Sequence, residues 1–438
     1  MKSLLSKIIF IVFDSAMVAL SIFLSYLLRD HFTGLETHTI ALVHYLKFLP
    51  LFLIPILLFA YEGIYTYRYD FWHDSRLVLK GLSLSFILIF AYLAMTKSVE
   101  SYSRLVIGFS FLFMSILIPL SKNMSKKWLY KLGIWQKKAK IYGNDTFLTY
   151  EIYANPYLGY IKPEVDEEVA TVFINSKETD ADTLKTIIDS QIKTKHEVIF
   201  IPLMNEYDLT HSSIYELSNT RTNLIVFKNR LKSRYRQCLQ HVFNYLLALL
   251  SLPVLLPIIG ILAFLIKKES SGSIFFTHNR MGQNGKIIPT LKFRSMYSDA
   301  QERLDTLLKD DEAVKNEWEM NFKLKDDPRV TKIGAFLRKT SLDELPQIFN
   351  VLKGEMNFVG PRPVIQQEID QYYKENAEYY FMVKPGITGL WQVSGRSDTD
   401  YDFRVATDKW YVTNWSLWLD IVILIKTIKV VLKQDGAY

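Results

Sequence analysis

Seven cations stand in stretches whose glycines, prolines and asparagines restrict the backbone: Arg280, Lys292, Arg294, Arg329, Arg338, Arg362 and Arg396. Guanidinium forks held in place suit bidentate phosphate recognition. In the string GPRP, Pro361 and Pro363 restrict Gly360 and Arg362 to extended geometry and so aim the arginine. Any one of these cations alone could be a solvated surface charge, but seven together point to an anionic substrate. Among them lies TSLDELPQ, with Asp343 beside Glu344. One reading is a capping box, in which Ser341 caps a helix and Glu344 reaches back to it. Pro346 would then be the fifth helical residue, without the N–H the helix needs. If Pro346 is instead at or near the first helical position, both carboxylates precede the helix near the positive end of its dipole, where a carboxylate stays ionised and a phosphate is welcome. Adjacent carboxylates diverge, so one can attack phosphorus while the other holds a metal ion bridging phosphate oxygens. We read the pair as catalytic because of the cations around it.

The elements that position these residues are organised around a bilayer. The first 121 residues contain four apolar stretches of about the 20 residues a bilayer requires, near 8–28, 46–65, 77–96 and 105–121. The first is too long for a cleaved signal peptide and three similar stretches follow, so all four are expected to be retained spans. Asp14 lies inside the first span and is read as a bundle-facing hydrogen-bond acceptor, with a functional role as the alternative. Lys2 and Lys7, Arg68 and Arg76, and a lysine run from Lys122 to Lys140 alternate with less basic loops, which predicts cytoplasmic termini.

The chain is 438 residues long with a net charge of +7, a total that could signal nucleic acid. Its distribution argues otherwise. Seven lysines fall in 122–140 and five basic residues in 228–236, neither run containing an acid, and setting these twelve aside leaves 40 basic residues against 45 acidic. Both runs abut apolar segments and lack base-stacking motifs, so no nucleic-acid partner is expected. The single cysteine, Cys238, excludes an intrachain disulfide, and the histidines show no zinc-ligand spacing.

Residues 139–227 alternate short β-rich runs (140–142, 170–174, 198–201, 224–227) with helical stretches such as 181–193, as in an open, Rossmann-like α/β sheet. A dinucleotide site would need three glycines after the first strand, and the string IYGNDTF offers only Gly143, so we expect a structural or regulatory module. The second basic run leads into 25 uncharged residues, 242–266, with Pro253 and Pro257 in the middle. A fifth span is one reading. A re-entrant helix pair bent at Pro253 returns both basic flanks to the same headgroups, and we favour it. The expected division is therefore four transmembrane helices (1–121), a basic juxtamembrane linker (122–138), the α/β module (139–227) and a mainly α, monotopic catalytic domain (228–438).

The strings SLDELPQ, NVLKGEM, VGPRP, KPGITGLWQVSGR and the final DGAY resemble the bacterial sugar transferase family, the polyprenyl-phosphate phosphoglycosyl transferases. The four-span N-terminus and α/β module are similar to its large members. The resemblance implies Asp343 as nucleophile, Glu344 as Mg2+ ligand, phosphate-binding roles for Lys292, Arg338, Arg362 and Arg396, and Asp408 near the site. We add Arg294 to the phosphate-binding set from its context. The resemblance also implies a UDP-sugar and undecaprenyl phosphate as substrates, galactose 1-phosphate as the transferred group, a bacterial cytoplasmic-membrane location with the catalytic domain on the cytoplasmic face, and membrane lipid as a partner; a homodimer is plausible, but the sequence does not give the oligomeric state. Two features depart from the family pattern. Gln240, His241 and Asn244 stand where a basic pair and an aspartate are frequent, and Leu252-Pro253 stands where Ser-Pro is frequent. A non-enzymatic scaffold for polysaccharide assembly is the competing reading, and the intact dyad with its cations argues against it. An oxidoreductase or epimerase would need the missing glycine fingerprint.

Overall fold

Among the described residues five helical stretches are long and apolar enough to cross a membrane, and they set the plan of the computed structural model: Leu4–Arg29, Leu42–Tyr61, Phe71–Met95, Arg104–Lys131 and Arg234–Glu269. The structure describes residues 2–33, 41–98, 101–143, 145–164, 167–176, 180–195, 197–202, 213–217, 222–226, 231, 233–310, 327–395 and 400–433. The chain divides into two compact units, Met1–Met204 and Asn205–Tyr438.

In the first unit the helices are α1 (Lys2–Thr33), α2 (Leu42–Leu46), α3 (Pro50–Tyr61), α4 (Phe71–Met95) and α5 (Arg104–Lys131). Pro50, which lacks an N–H, opens α3 and separates it from α2. The helix expected to end near Ser121 continues to Lys131, since no breaker intervenes before Gly133, whose φ is +69°. This changes the meaning of the lysine run. Lys122 and Lys126, one turn apart on α5, are buried inside the unit instead of facing headgroups. Lys122 Nζ lies 2.8 Å from Asp14, which also accepts the Tyr65 hydroxyl at 2.7 Å. Lys126 Nζ lies 2.6 Å from Asp74, which accepts the Tyr157 hydroxyl. Asp14 thus has the bundle-facing acceptor role expected of it. Desolvated charges of this kind persist only when paired and hydrogen-bonded.

The same unit carries a four-stranded parallel sheet in the order β2-β1-β3-β4, formed by β1 (Lys137–Tyr142), β2 (Tyr160–Ile161), β3 (Thr171–Asn175) and β4 (Glu197–Ile201), with α6 (Thr146–Ala154) and α7 (Ala181–Thr194). Gly143, at φ +117°, follows β1, and a Cβ there would lie 2.9 Å from that of Asn175. Crowding by Asn175 accounts for this glycine. The expected strand at 224–227 does not join this sheet. It is β6 (Thr222–Val226), paired antiparallel with β5 (Ser213–Leu217) in a separate hairpin of the second unit.

The second unit is built on α8 (Arg234–Glu269), helical throughout with Pro253 and Pro257 inside it. Ala248 from its first half and Ile259, Leu262 and Ile266 from its second half join one core with Phe293, Leu337, Ile348 and Val351. Asn244 pins the first half: its Oδ1 accepts the Phe358 N–H at 2.7 Å, and its Nδ2 donates to the Gln240 carbonyl. An aspartate at that position could accept but not donate. Glu269 pins the far end by accepting the Ile333 N–H at 3.0 Å. The antiparallel pair β7 (Phe275–Met281) and β8 (Ile287–Phe293) and the parallel pair β9 (Asn357–Val359) and β10 (Gly386–Thr388) complete the frame.

Candidate active site

The dyad sits where two tight turns meet. Helix Lys332–Thr340 packs so closely on the segment after β8 that a Cβ on Gly334 would lie 1.9 Å from the Ser295 carbonyl oxygen. That helix ends at Ser341 in the left-handed region, φ +56°, which redirects the chain into a 3-10 turn, Leu342–Gln347, holding Asp343 and Glu344. The Ser341 side chain makes no capping hydrogen bond, so the capping-box alternative is not realised. The α-helix Ile348–Leu352 starts after Pro346, and both carboxylates precede it.

Lys292 projects from β8 onto the pair. Its Nζ is 2.7 Å from Glu344 Oε1 and 3.4 Å from Asp343 Oδ2. Arg362 Nη2 approaches the same Glu344 oxygen at 3.5 Å. Burial raises the Asp343 carboxyl above its ordinary range, while the Lys292 charge pulls it back down. The result is a partly desolvated carboxylate, less well solvated than in water, beside two cations and an adjacent second carboxylate.

Arg362 is held by a close crossing of the VGPRP and KPGITG strings. A Cβ on Gly360 would lie 2.5 Å from the Lys384 carbonyl oxygen, and one on Gly386 would lie 2.2 Å from the Gly360 nitrogen. Only glycines permit this approach, and it is closed by Gly360 N–H to Thr388 O and Gly386 N–H to Pro361 O, both 2.9 Å. Beyond Arg362 lies a second charged layer. Glu368 accepts the Tyr401 hydroxyl at 2.7 Å and pairs with Arg280 at 3.4 Å and Arg404 at 3.7 Å. Arg404 also reaches the Arg362 carbonyl at 3.4 Å. Glu368, Tyr401 and Arg404 were not singled out by sequence reasoning, although Arg404 and Asp408 are spaced to share a face of helix Tyr401–Thr413.

Of the expected site residues, Lys292, Asp343, Glu344 and Arg362 come together. Arg338 donates to Ser295 Oγ at 2.9 Å. Arg294 spends its guanidinium on the Ser270 and Ser271 carbonyls and the Ser270 hydroxyl, closing the loop after α8. Arg329 forms a two-pronged pair with Asp327. Arg396 lies outside the described residues.

Asp408 is fully enclosed and accepts the Tyr373 hydroxyl at 2.6 Å, and burial pushes its carboxyl up to about 6. With an unfolded carboxyl near 4, the folded state binds the extra proton between about pH 4 and pH 6, so this residue's contribution to stability falls as pH rises through that window. Asp408→Asn keeps an acceptor for Tyr373 and is expected to flatten that decline, as read from thermal unfolding midpoints at pH 5 and pH 7.5. An unchanged slope would contradict it.

A helical, membrane-associated domain that gathers two carboxylates, a lysine and an arginine beside glycine crossings is the frame of a phosphoryl-group transferase. The model of the family described as bacterial sugar transferase matches residues 235–434. Over 85% of this chain and 84% of its own length, undecaprenyl-phosphate galactose phosphotransferase of Salmonella typhimurium is 38% identical. UDP-galactose-lipid carrier transferase of Erwinia amylovora is 35% identical over 85% and 84%. The exopolysaccharide production protein ExoY of Sinorhizobium fredii is 47% identical over 45% of this chain and 86% of its own length. The chain belongs to the bacterial sugar transferase family and is a transferase.

Proposed function

We propose that this enzyme transfers a sugar 1-phosphate, galactose 1-phosphate for preference, from a UDP-sugar to undecaprenyl phosphate, as the first membrane step of O-antigen, capsule or exopolysaccharide synthesis. The observation that carries it is the Asp343–Glu344 pair bridged by Lys292 and faced by Arg362. The two relatives aligned over most of the chain at 38% and 35% identity bear galactose in their names, while two relatives at 32% and 28% are named for glucose 1-phosphate transfer to undecaprenyl phosphate. In the first step an Asp343 oxygen attacks the sugar-bearing phosphorus, the bond to the bridging oxygen breaks, and UMP leaves with that electron pair. In the second, a phosphate oxygen of undecaprenyl phosphate attacks the same phosphorus and the Asp343 carboxylate departs. Lys292 and Arg362 hold positive charge where two anions must meet.

Glu344 would hold Mg2+. Its hard carboxylate oxygens, next in the chain to those of Asp343, suit an ion that takes one or two carboxylates plus substrate phosphates. When bound, Mg2+ supplies further neutralisation of the diphosphate. Incubating the full chain with a panel of UDP-sugars, Mg2+ and undecaprenyl phosphate, and scoring UMP, tests the reading. Lipid-dependent turnover with UDP-galactose is expected, and no UMP with any UDP-sugar would refute it.

The architecture in this reading is a four-helix transmembrane bundle, a Rossmann-like module with a structural role, and a catalytic domain on the cytoplasmic face of a bacterial inner membrane. Its α8, continuous from Arg234 to Glu269, would enter the bilayer and return by bending at Pro253. Both halves of α8 pack on one core, while Leu250, Val254, Ile261 and Phe264 are strongly exposed. Pro253 and Pro257 remove two backbone hydrogen bonds where a bend is needed. Cys238, the sole cysteine, is exposed just before the apolar stretch, and Ser271 is exposed just after it. Cys238 in the natural chain and the new thiol of a Cys238→Ser/Ser271→Cys variant are expected to react with an impermeant maleimide from the same face. Labelling from opposite faces would show a spanning helix.

A further inference from the structure

Two cavities of the second unit, about 380 and 400 Å3, share His241, Asn357 and Lys384. The first is polar, with the amides of Gln237, Gln240 and Gln283 in its wall. The second is largely apolar, with Val242, Leu246, Leu352 and Met356 in its wall. Lys384 stands at their junction. It is half-buried, its only close polar neighbour among the described residues is His241 Nδ1 at 3.5 Å, and no carboxylate pairs with it. Asn357 is 2% exposed, yet its side-chain amide hydrogen-bonds no described residue. A partly desolvated cation beside an unengaged buried amide calls for an anion carrying its own acceptors.

The surroundings say what kind of anion. Val242 opens the uncharged stretch of α8, and Val242, Tyr245 and Leu246 are each about half exposed, so the apolar cavity continues onto the face of α8 presented outward. A cationic pocket at the start of a membrane-inserting helix is where a lipid headgroup lies. We propose that Lys384, His241 and Asn357 bind the phosphate of a membrane lipid whose hydrocarbon chain follows Val242 and Leu246 along α8. The site is apart from the dyad and adjoins the loop that carries Arg362. The Lys384 carbonyl is the atom that crowds Gly360, two residues before Arg362. A lipid phosphate held here would be anchored beside the loop that carries Arg362, and the KPGITG string would join the two sites mechanically.

The source can be the polyprenyl phosphate acceptor or a bilayer phospholipid. The choice of undecaprenyl phosphate as one probe rests on the function proposed above. The test uses the full chain in phosphatidylcholine nanodiscs and reads retained lipid by native mass spectrometry, with undecaprenyl phosphate and phosphatidylglycerol in separate arms. Saturable retention of at least one is expected, reduced about tenfold or more in Lys384→Gln and in Leu352→Trp, which fills the apolar cavity, and kept in Lys384→Arg. Arg303→Gln, which removes an exposed cation outside both sites, is expected to retain lipid as the natural chain does. Equal retention by Lys384→Gln, or no retention above the phosphatidylcholine background in both arms, overturns the proposal. So does loss of retention in Arg303→Gln, or displacement of the lipid by inorganic phosphate at the same concentration. UMP release from UDP-sugar without lipid is read separately, so the failure of this site and of the proposed transfer are distinguishable.

Discussion

Asp343→Asn is expected to abolish UMP release from a UDP-sugar even when no lipid acceptor is present, a loss on the order of 10^4-fold or more, as for other covalent nucleophiles. The amide is nearly isosteric, so the turn Leu342–Gln347 and its packing stay in place while the attacking oxygen loses its charge. Glu344 is engaged elsewhere, its Oε1 lying 2.7 Å from Lys292 and 3.5 Å from Arg362. UMP release at the normal rate in Asp343→Asn would remove Asp343 from the reaction.

Lys292→Met is expected to slow UMP release by about a hundredfold or more, the usual cost of deleting one preorganised charge-stabilising donor. The effect has two parts. A cation is lost from the place where the diphosphate must approach two carboxylates, and those carboxylates, at 2.7 and 3.4 Å from Nζ, lose the charge that holds them together. Because the attacking group is still present, Lys292→Met should still form the covalent adduct on long incubation, whereas Asp343→Asn should never form it. Rapid-quench measurement of UMP separates the two, and a Lys292→Met rate within a few fold of the natural chain would contradict the geometry.

Much of this was legible from residue types. Apolar runs of bilayer length announced the long helices, and the TSLDELPQ and GPRP strings announced the site, since Pro346 and Pro361 constrain the backbone whatever the context. What remained hidden depended on distant partners. Lys122 and Lys126 look like headgroup-facing charges until Asp14 and Asp74 meet them across the helices. Arg294 was grouped with Arg362 as a phosphate-binding arginine, yet one closes a loop and the other faces Glu344. Neither the pairing of Thr222–Val226 with its neighbour nor the two-residue strand Tyr160–Ile161 could be read from so short a pattern. Arg404 and Glu368 were missed because their partnership spans 36 positions and is made by folding alone.

The most direct measurement is intact-protein mass spectrometry of the full chain mixed with UDP-galactose and Mg2+ but no lipid, followed by peptide mapping. The account predicts a mass increase of one hexose phosphate, located on the peptide containing Asp343, formed in step with UMP and discharged when undecaprenyl phosphate is added. UMP that appears only together with lipid acceptor, with no adduct on any peptide at any time, would contradict it and point to direct transfer between the two substrates.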